Sequence, residues 1–289
     1  MDGFLQDSLL TKAGPLECNG QAQTDNAFNL KINKMKPYKV ILLLIAIIGL
    51  AFTFKKERPT LYIIGDSTVK NGDGTGKNGQ MGWGTMIDVY FDTTKIAVRN
   101  HAIGGRSSRT FITEGRWDKI LQTLKKGDFV MMQFGHNDGS PLDDTARARG
   151  TIKGIGEDSV EIYNPIRKMK ETVHSYGWYM RRFINEAKDK GAIPIICSPI
   201  PRYGFKDGKI SRDSYATWSR ELAEQTSTFF IPLNEKIVVQ YESMDTIKVK
   251  SFFPADHTHT NKEGAILNAT KVVEGIKELK KCGLKKYLL

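Results

Sequence analysis

The sequence predicts an α/β fold in which a parallel β-sheet is covered by helices on both faces. Five apolar, β-rich runs alternate along the chain with segments of helical character. Continuous apolar strands are typical of a sheet that is buried on both faces, and strand–helix alternation is typical of parallel connections. The length of 289 residues and the hydrophobic content of 40% fit one large domain or two small ones.

The predicted elements follow in chain order. The strands are TLYIIG (60–65), KIAVRNHA (95–102), DFVMMQFG (128–135), AIPIICS (192–198) and TFFIPLN (228–234). The helices are Gly84–Phe91, Trp117–Lys125, Val173–Lys190, Ser211–Thr226 and Lys262 to about Lys280. The segment Asp138–Ile166 is rich in glycine and charge, and we expect a long excursion over the edge of the sheet where the strands end.

The N-terminal part has a different character. Lys36 and Lys39 precede an apolar run of about 15 residues, Val40 to Phe54, which is short for a membrane span of roughly 20 residues. The run fits a secretory signal over 35–54, or an N-terminal membrane anchor if it is not cleaved. We expect 1–34 to be a non-native or disordered extension with translation starting at Met35, and 59–289 to be the folded domain of an exported protein.

Composition narrows the class of protein. The net charge is +11, but lysine and arginine are spread along the chain among acids, whereas nucleic-acid binders usually concentrate them in a patch. The charge therefore indicates a solvated basic surface or attraction to an acidic ligand such as a polyanionic polysaccharide. No cysteine or histidine cluster has the spacing of a metal site.

Chemically useful residues follow the strands. Asp66 and Ser67 end the first strand, Gly105 follows the second, and Asn137 follows the third. Asp256 and His259 stand just ahead of the last helix. In parallel sheets the chemistry gathers beyond the carboxyl ends of the strands, so we expect these residues to meet.

Together these residues supply the groups that acyl transfer requires. Serine is a poor nucleophile unless a base takes its proton, and a carboxylate orients that base when the base is histidine. Asp256 and His259 are three residues apart, which allows both side chains to lie on one side of the chain. The Ser67 N–H, the Gly105 N–H and the Asn137 amide are candidate donors for the oxyanion.

The sequence resembles the SGNH (GDSL-type) hydrolase superfamily. Its four name-giving residues map onto Ser67, Gly105, Asn137 and His259, and the similarity is strongest to the rhamnogalacturonan acetylesterase branch. The matching text is GDST, AIGGRSSRTF, FGHND and DHTH, with EGRWDKIL, YGWYMRRFI and SPIPR as further similar stretches over about residues 60–280.

The resemblance implies a flavodoxin-like three-layer α/β/α sandwich with a five-stranded parallel sheet. It implies no cofactor and no metal. It also implies that His259 is the base, since the family pattern is D-x-x-H, with His257 as the competing histidine. The segment 139–176 is set by no catalytic motif, and we expect it to shape substrate choice.

Four further residues are candidates for substrate binding. Trp83 lies in the glycine-rich stretch after the nucleophile turn and is the tryptophan best placed to line a sugar site. Arg106 and Arg109 are either surface charges or contacts for a substrate carboxylate. His136 is a candidate for positioning neighbouring groups; the resemblance implies that it is not the base, because the family pattern places no carboxylate to serve it. Asp66 and Asp138 are expected to hold their loops rather than to react.

These expectations define three functional hypotheses. The first is an exported esterase that removes acetyl groups from plant cell-wall polysaccharide of the rhamnogalacturonan or pectin type, acting in the periplasm, outside the cell or at its surface. The second keeps the chemistry in a lipase, thioesterase or arylesterase. The third is a polyanion-binding module without catalysis. We expect no nucleic-acid partner and membrane contact only through an uncleaved N-terminal segment; the sequence leaves the oligomeric state open.

Overall fold

The computed structural model describes residues 36–38, 41 and 58–289. A β-sheet lies at the centre of the part that spans 58–289. The strands are β1 Thr60–Gly65, β2 Ala97–Asn100, β3 Phe129–Gln133, β4 Ser159–Asn164, β5 Met169–His174, β6 Ile193–Cys197, β7 Phe205–Lys206, β8 Lys209–Ile210 and β9 Phe229–Ile231. Five of them form the main sheet in the order β2-β1-β3-β6-β9, and all of its pairings are parallel. The order places β1 and β3 side by side at the centre.

Helices connect the strands and cover the sheet. They are α1 Ser108–Thr113, α2 Arg116–Leu121, α3 Tyr176–Asp189, α4 Ser214–Gln225, α5 Leu233–Glu242, α6 Thr246–Ser251 and α7 Lys262–Glu278. Short 3-10 helices lie at Trp83–Thr85, Asp88–Tyr90 and Leu284–Tyr287.

The two faces of the sheet pack against different helices. Alternate residues of a strand point to opposite faces. Leu61 and Ile63 of β1 belong to the apolar core that includes side chains of α5 and α7. Tyr62 and Ile64 belong to a second core with side chains of α1 to α4. The sheet is therefore the middle layer of a three-layer α/β/α sandwich, as predicted.

Most predicted elements of the main layer are confirmed. All five strands are present, and four of the five predicted helices are present with shorter bounds. The helix predicted over Gly84–Phe91 is wrong. The N–H groups of Trp83 and Gly84 donate to the carbonyls of Thr68 and Val69 instead of forming a helical ladder. Two short 3-10 turns result in place of a helix.

Other elements were not predicted from the sequence. The excursion that begins at Asp138 contains β4, which pairs with β5 as an antiparallel hairpin. The predicted start of the third long helix, at Val173, lies in β5, and α3 begins only at Tyr176. Helices α1, α5 and α6 were also missed.

The predictions for 1–34 and for the run Val40 to Phe54 lie almost entirely outside the described residues. Within the described part of the chain, no helix is long and apolar enough to cross a bilayer.

Gly65 provides a test of how closely β1 and β3 approach. A methyl group there would lie 2.6 Å from the carbonyl oxygen of Gln133 and 2.6 Å from Val69 Cγ2. We expect Gly65→Ala to lower the free energy of unfolding by about 1–3 kcal/mol, because the backbone of β3 cannot move away freely. Urea unfolding measures this change. Gly204→Ala is the matched control, since its methyl group meets nothing within 4 Å; equal stability of the two variants would contradict the close approach.

Candidate active site

Loops from distant parts of the chain meet at one cleft of about 820 Å³. Ser67 follows β1, Gly105 follows β2, Asn137 follows β3, and His259 precedes α7. All four residues line the cleft. Since β1, β2 and β3 are parallel neighbours, their carboxyl ends open at the same edge, and this brings the loops together.

His259 lies between a hydroxyl and a carboxylate. Its Nε2 is 2.8 Å from Ser67 Oγ, and its Nδ1 is 2.7 Å from Asp256 Oδ2. When Nδ1 carries the proton it donates to Asp256, and Nε2 is then free to accept from the Ser67 hydroxyl. The arrangement can transfer a proton from serine to histidine.

Asp256 is held as a carboxylate by several donors. Its Oδ1 accepts the backbone N–H of Thr258 at 2.7 Å and that of His259 at 2.8 Å. Gln80 Nε2 donates to Oδ2 at 3.1 Å. Desolvation alone would raise the pKa of Asp256, but the bonds from His259 and Thr258 outweigh it and lower that pKa to about 2. The carboxylate is therefore ionised at neutral pH.

The turn that carries Ser67 is fixed by Asp66. The buried Asp66 side chain accepts from Thr68 N at 2.9 Å and from Thr68 Oγ1 at 2.7 Å. The Asp66 carbonyl accepts from the N–H groups of Val69 and Lys70. Asp66 holds its loop through backbone N–H bonds, as we expected from the sequence.

Trp83 does not line the cleft, which corrects the prediction for this residue. Its side chain is fully buried, and Nε1 donates to Gln133 Oε1 at 2.9 Å. Gln133 Nε2 in turn donates to Thr68 Oγ1 at 2.6 Å. Trp83 therefore supports the turn of Ser67 from behind and is inaccessible to a sugar.

Three N–H donors border the cleft beside Ser67. The backbone N–H groups of Ser67 and Gly105 donate to no acceptor among residues 58–289. Asn137 Nδ2 donates to the carbonyl of Arg106 at 2.9 Å, which orients its amide and leaves a second N–H on the same nitrogen. Gly105 has φ of 77°, a conformation that glycine adopts without strain.

His136 lines the cleft but has both ring nitrogens engaged. Nδ1 is 3.3 Å from Asp66 Oδ2, and Nε2 is 3.0 Å from the carbonyl oxygen of Ile200. The expectation that no carboxylate serves His136 is therefore wrong. Burial would raise the pKa of Asp66, but His136 and the bonds from Thr68 together lower it below its ordinary value. With both nitrogens facing acceptors, His136 is not placed to take a proton from Ser67.

The two predicted arginines have different environments. Arg106 lines the cleft, where Nε pairs with Glu114 and Nη1 donates to the carbonyl of Gly104. Arg109 is fully buried, and its Nε pairs with Glu171 at 2.8 Å. A substrate carboxylate cannot reach Arg109, so its predicted role in binding is wrong.

The structure also shows where His257, the competing histidine, and Asp138 lie. His257 is exposed, and the ring that meets Asp256 is that of His259. Asp138 is fully buried, and its Oδ1 accepts from the N–H and the hydroxyl of Ser108. Its Oδ2 has no hydrogen-bond partner in residues 58–289.

Four polar residues of the site were missed by sequence reasoning. Gln80 contacts Asp256, and Arg202 joins the carbonyl of His136 to the hydroxyl of Thr258. Arg147 and Arg149 border Gly105 from the excursion loop. The sequence signal for the last two was only a basic pair, RAR, in a segment of mixed charge. Within the described residues, no group of His, Cys, Asp or Glu is arranged to hold a metal ion.

The chain matches the model of a known protein family. The model of the GDSL-like Lipase/Acylhydrolase family covers residues 63–265, a span that includes the loops of the cleft. A rhamnogalacturonan acetylesterase of Emericella nidulans is 30% identical over 235 residues, which cover 80% of this chain and 90% of that protein. A probable rhamnogalacturonan acetylesterase of Bacillus subtilis, YesY, is 32% identical over 227 residues, or 76% of this chain and 93% of that protein.

Solved structures show the same architecture. The crystal structure of YxiM from Bacillus subtilis superposes with a TM-score of 0.62 at 29% identity, covering 76% of this chain and 56% of that one. Axe2, an acetylxylan esterase of Geobacillus stearothermophilus, superposes with a TM-score of 0.52 at 17% identity, covering 77% and 95%. The second likeness concerns the fold alone.

The buried Asp138 predicts a pH dependence of stability. Desolvation raises its pKa to about 7, although the bonds from Ser108 act in the opposite direction. A carboxyl with a raised folded-state pKa contributes stability below its unfolded pKa and loses it as the pH rises through the folded value. We compare the free energies of unfolding of Asp138→Asn and the parent. From pH 4 to pH 8 we expect the difference to shift in favour of the variant by on the order of 1–4 kcal/mol.

Urea unfolding of both proteins across this pH range measures the difference. Asparagine keeps the oxygen that accepts from Ser108 but cannot ionise. Asp189→Asn, at an exposed carboxylate of α3, is the matched control and should show no such trend. A constant difference between Asp138→Asn and the parent would contradict the raised pKa.

Proposed function

Because the chain belongs to the GDSL-like lipase/acylhydrolase family, in its rhamnogalacturonan acetylesterase-like branch, and is thus a carboxylic ester hydrolase, we propose that it removes O-acetyl groups from a plant cell-wall polysaccharide of the rhamnogalacturonan or pectin type. The observation that carries the proposal is the position of His259, 2.8 Å from Ser67 Oγ and 2.7 Å from Asp256 Oδ2. The names of the relatives supply the substrate class.

In the proposed mechanism Ser67 Oγ attacks the carbonyl carbon of the acetyl group. His259 Nε2 takes the serine proton, while Asp256 holds Nδ1–H and stabilises the resulting cation. The charge that forms on the carbonyl oxygen is met by the N–H groups of Ser67 and Gly105 and by the Asn137 amide. The proposal is supported by the position of all three residues at the cleft and by the bond from Asn137 to the carbonyl of Arg106, which orients its amide.

Collapse of the tetrahedral intermediate breaks the bond between the acetyl carbon and the sugar oxygen. His259 returns its proton to that oxygen, and the sugar leaves with a free hydroxyl. A water molecule then attacks the acetyl-serine, again giving a proton to His259, and acetate leaves as Ser67 recovers its proton.

The lining of the cleft supports a short acyl group. Its side chains are mostly polar or charged, with Ala146 and Ile166 as apolar members. Burial of a long acyl chain in an apolar groove would contribute about 25 cal/mol per Å² of apolar surface removed from water, and this cleft offers little such surface. A polar cleft therefore favours acetyl esters over the esters that a lipase cleaves.

We also propose that the protein is exported, as the apolar run of 40–54 suggests, because a cell-wall polymer lies outside the cell. N-terminal sequencing of protein recovered from the culture medium or the periplasm tests this, and recovery from the cytosol alone would count against it.

Replacement of the proposed nucleophile tests the mechanism. We expect Ser67→Ala to lower kcat for acetate release from p-nitrophenyl acetate and from acetylated rhamnogalacturonan by about 10³–10⁶-fold, since the variant lacks the hydroxyl on which the proposed acyl intermediate forms. Asn137→Ala should lower kcat by about 10²–10³-fold through loss of one oxyanion donor. Ser243→Ala, at an exposed serine, is the control. Equal hydrolysis by the parent and Ser67→Ala would refute the mechanism.

A comparison of short and long acyl esters tests the substrate class. We expect kcat/KM for p-nitrophenyl acetate to exceed that for p-nitrophenyl octanoate by at least about tenfold, because the cleft offers little apolar surface to a longer chain. The comparison uses the same leaving group, so the acyl chain alone differs. A preference for octanoate would instead support the lipase alternative.

A further inference from the structure

Two arginines of the excursion loop cover the backbone beside the proposed nucleophile. A methyl group on Gly105 would collide with Arg147 Nη1 and would lie 3.7 Å from Arg149 Nη1. Arg149 Nη1 also donates to the carbonyl of Gly105 at 3.3 Å. Both guanidinium groups therefore border the cleft at Gly105, on the wall that also offers an oxyanion donor.

The two charges have no anionic partner bound to them. Arg147 is exposed and makes no hydrogen bond or ion pair within residues 58–289. Arg149 is half-buried, and its partners are the uncharged oxygens of Ser140 and Gly105. Burial lowers the pKa of Arg149, and the neighbouring charge of Arg147 lowers it further. Two cations held together in this way favour the binding of an anion between them.

The carboxylates of the cleft do not neutralise the pair. Glu114 is engaged by Arg106 and Arg116. Asp144 partly offsets the repulsion felt by Arg149, but its side chain accepts from Ala146 N and forms no salt bridge with either arginine. The net excess of positive charge beside Gly105 remains.

Hydrogen bonds from a buried arginine hold the loop that carries the pair. The buried Arg109 donates from Nη1 to the carbonyls of Leu142 and Gly150, on both sides of the pair. Between the arginines, Ala148 is buried with φ of 44°, a left-handed conformation that costs a non-glycine residue about 1–2 kcal/mol. Strain of this kind persists where the surrounding structure enforces it, and it occurs preferentially at binding sites.

We propose that Arg147 and Arg149 form a subsite for the carboxylate of a uronic acid residue that neighbours the acetylated sugar. A planar guanidinium matches the two oxygens of a carboxylate, and such charge-assisted bonds are stronger than neutral ones. The subsite rests on the proposed function and adds to it a selection for acidic over neutral polymers. Arg147 supplies the free donors, and Arg149 supplies adjacent charge from a fixed position.

The test compares one polymer with its carboxylates free or blocked. Acetylated pectin of low methyl-esterification is the acidic substrate, and acetylated pectin of high methyl-esterification is the neutral one. The measured quantity is the ratio of kcat/KM for acetate release from the two, with hydrolysis of p-nitrophenyl acetate as the common reference. We expect a ratio of about 10–100 for the parent, reduced about tenfold or more by Arg147→Gln through a higher KM on the acidic substrate.

Two further variants make the comparison specific. Arg147→Lys keeps the charge but loses the planar fork, so its ratio should lie between those of the parent and Arg147→Gln. Arg99→Gln removes one positive charge from an exposed residue of β2 that does not line the cleft, and its ratio should equal that of the parent.

Failure of the subsite and failure of the proposed function give different results. A parent ratio near 1, or an equal loss on both polymers and on p-nitrophenyl acetate in Arg147→Gln, would overturn the subsite while leaving the esterase intact. An equal loss in Arg99→Gln and Arg147→Gln would assign the preference to overall charge and would also overturn the subsite. Absence of acetate release from every substrate by the parent would instead refute the proposed function.

Discussion

A buried chain of hydrogen bonds fixes the turn on which the rest of the site depends. Trp83 Nε1 donates to Gln133, Gln133 donates to Thr68 Oγ1 at 2.6 Å, and Thr68 donates to Asp66 at 2.7 Å. Each of these side chains is fully or almost fully buried, so water cannot serve as an alternative hydrogen-bond partner. The turn of Ser67 is thus tied to β3 and to the core, and the proposed nucleophile would need little reorganisation to react.

The same chain of contacts extends to the histidine loop, nearly 200 residues further along the sequence. Asp66 contacts His136, the carbonyl of His136 accepts from Arg202, and Arg202 donates to Thr258 Oγ1. On the opposite side, Met81 N donates to the carbonyl of Thr260, and Thr260 Oγ1 donates back to the carbonyl of Met81. The loop that carries His259 is therefore held from two directions, which explains how an exposed carboxylate and a partly exposed ring keep distances below 3 Å.

The parts of the molecule that the sequence predicts well are those that local patterns determine. Apolar strand runs identify the five parallel strands, and the positions of Ser67, Gly105 and Asn137 after parallel strands predict the edge at which they meet His259. Trp83 and Arg109 were misjudged because their burial depends on partners 50 and 62 positions away, Gln133 and Glu171. Arg147 and Arg149 were missed for a similar reason, since the loop that brings them beside Gly105 is held in part by bonds from Arg109, which lies more than 30 positions away. Residue type alone does not distinguish an arginine that is available to a ligand from one whose contacts stabilise the fold.

The buried pair of Arg109 and Glu171 illustrates this division of roles. Removing two charges from water costs several kcal/mol for each ion, so such a pair often adds little to net stability. Here Arg109 also satisfies two loop carbonyls, while Glu171 accepts from Asn164 of the hairpin. The pair thereby joins the excursion loop, the β4–β5 hairpin and α1 at one buried point. The pair thus contributes geometry: it holds the loop that carries two mutually repelling guanidinium groups at the cleft, where we propose that the carboxylate of an acidic polymer binds.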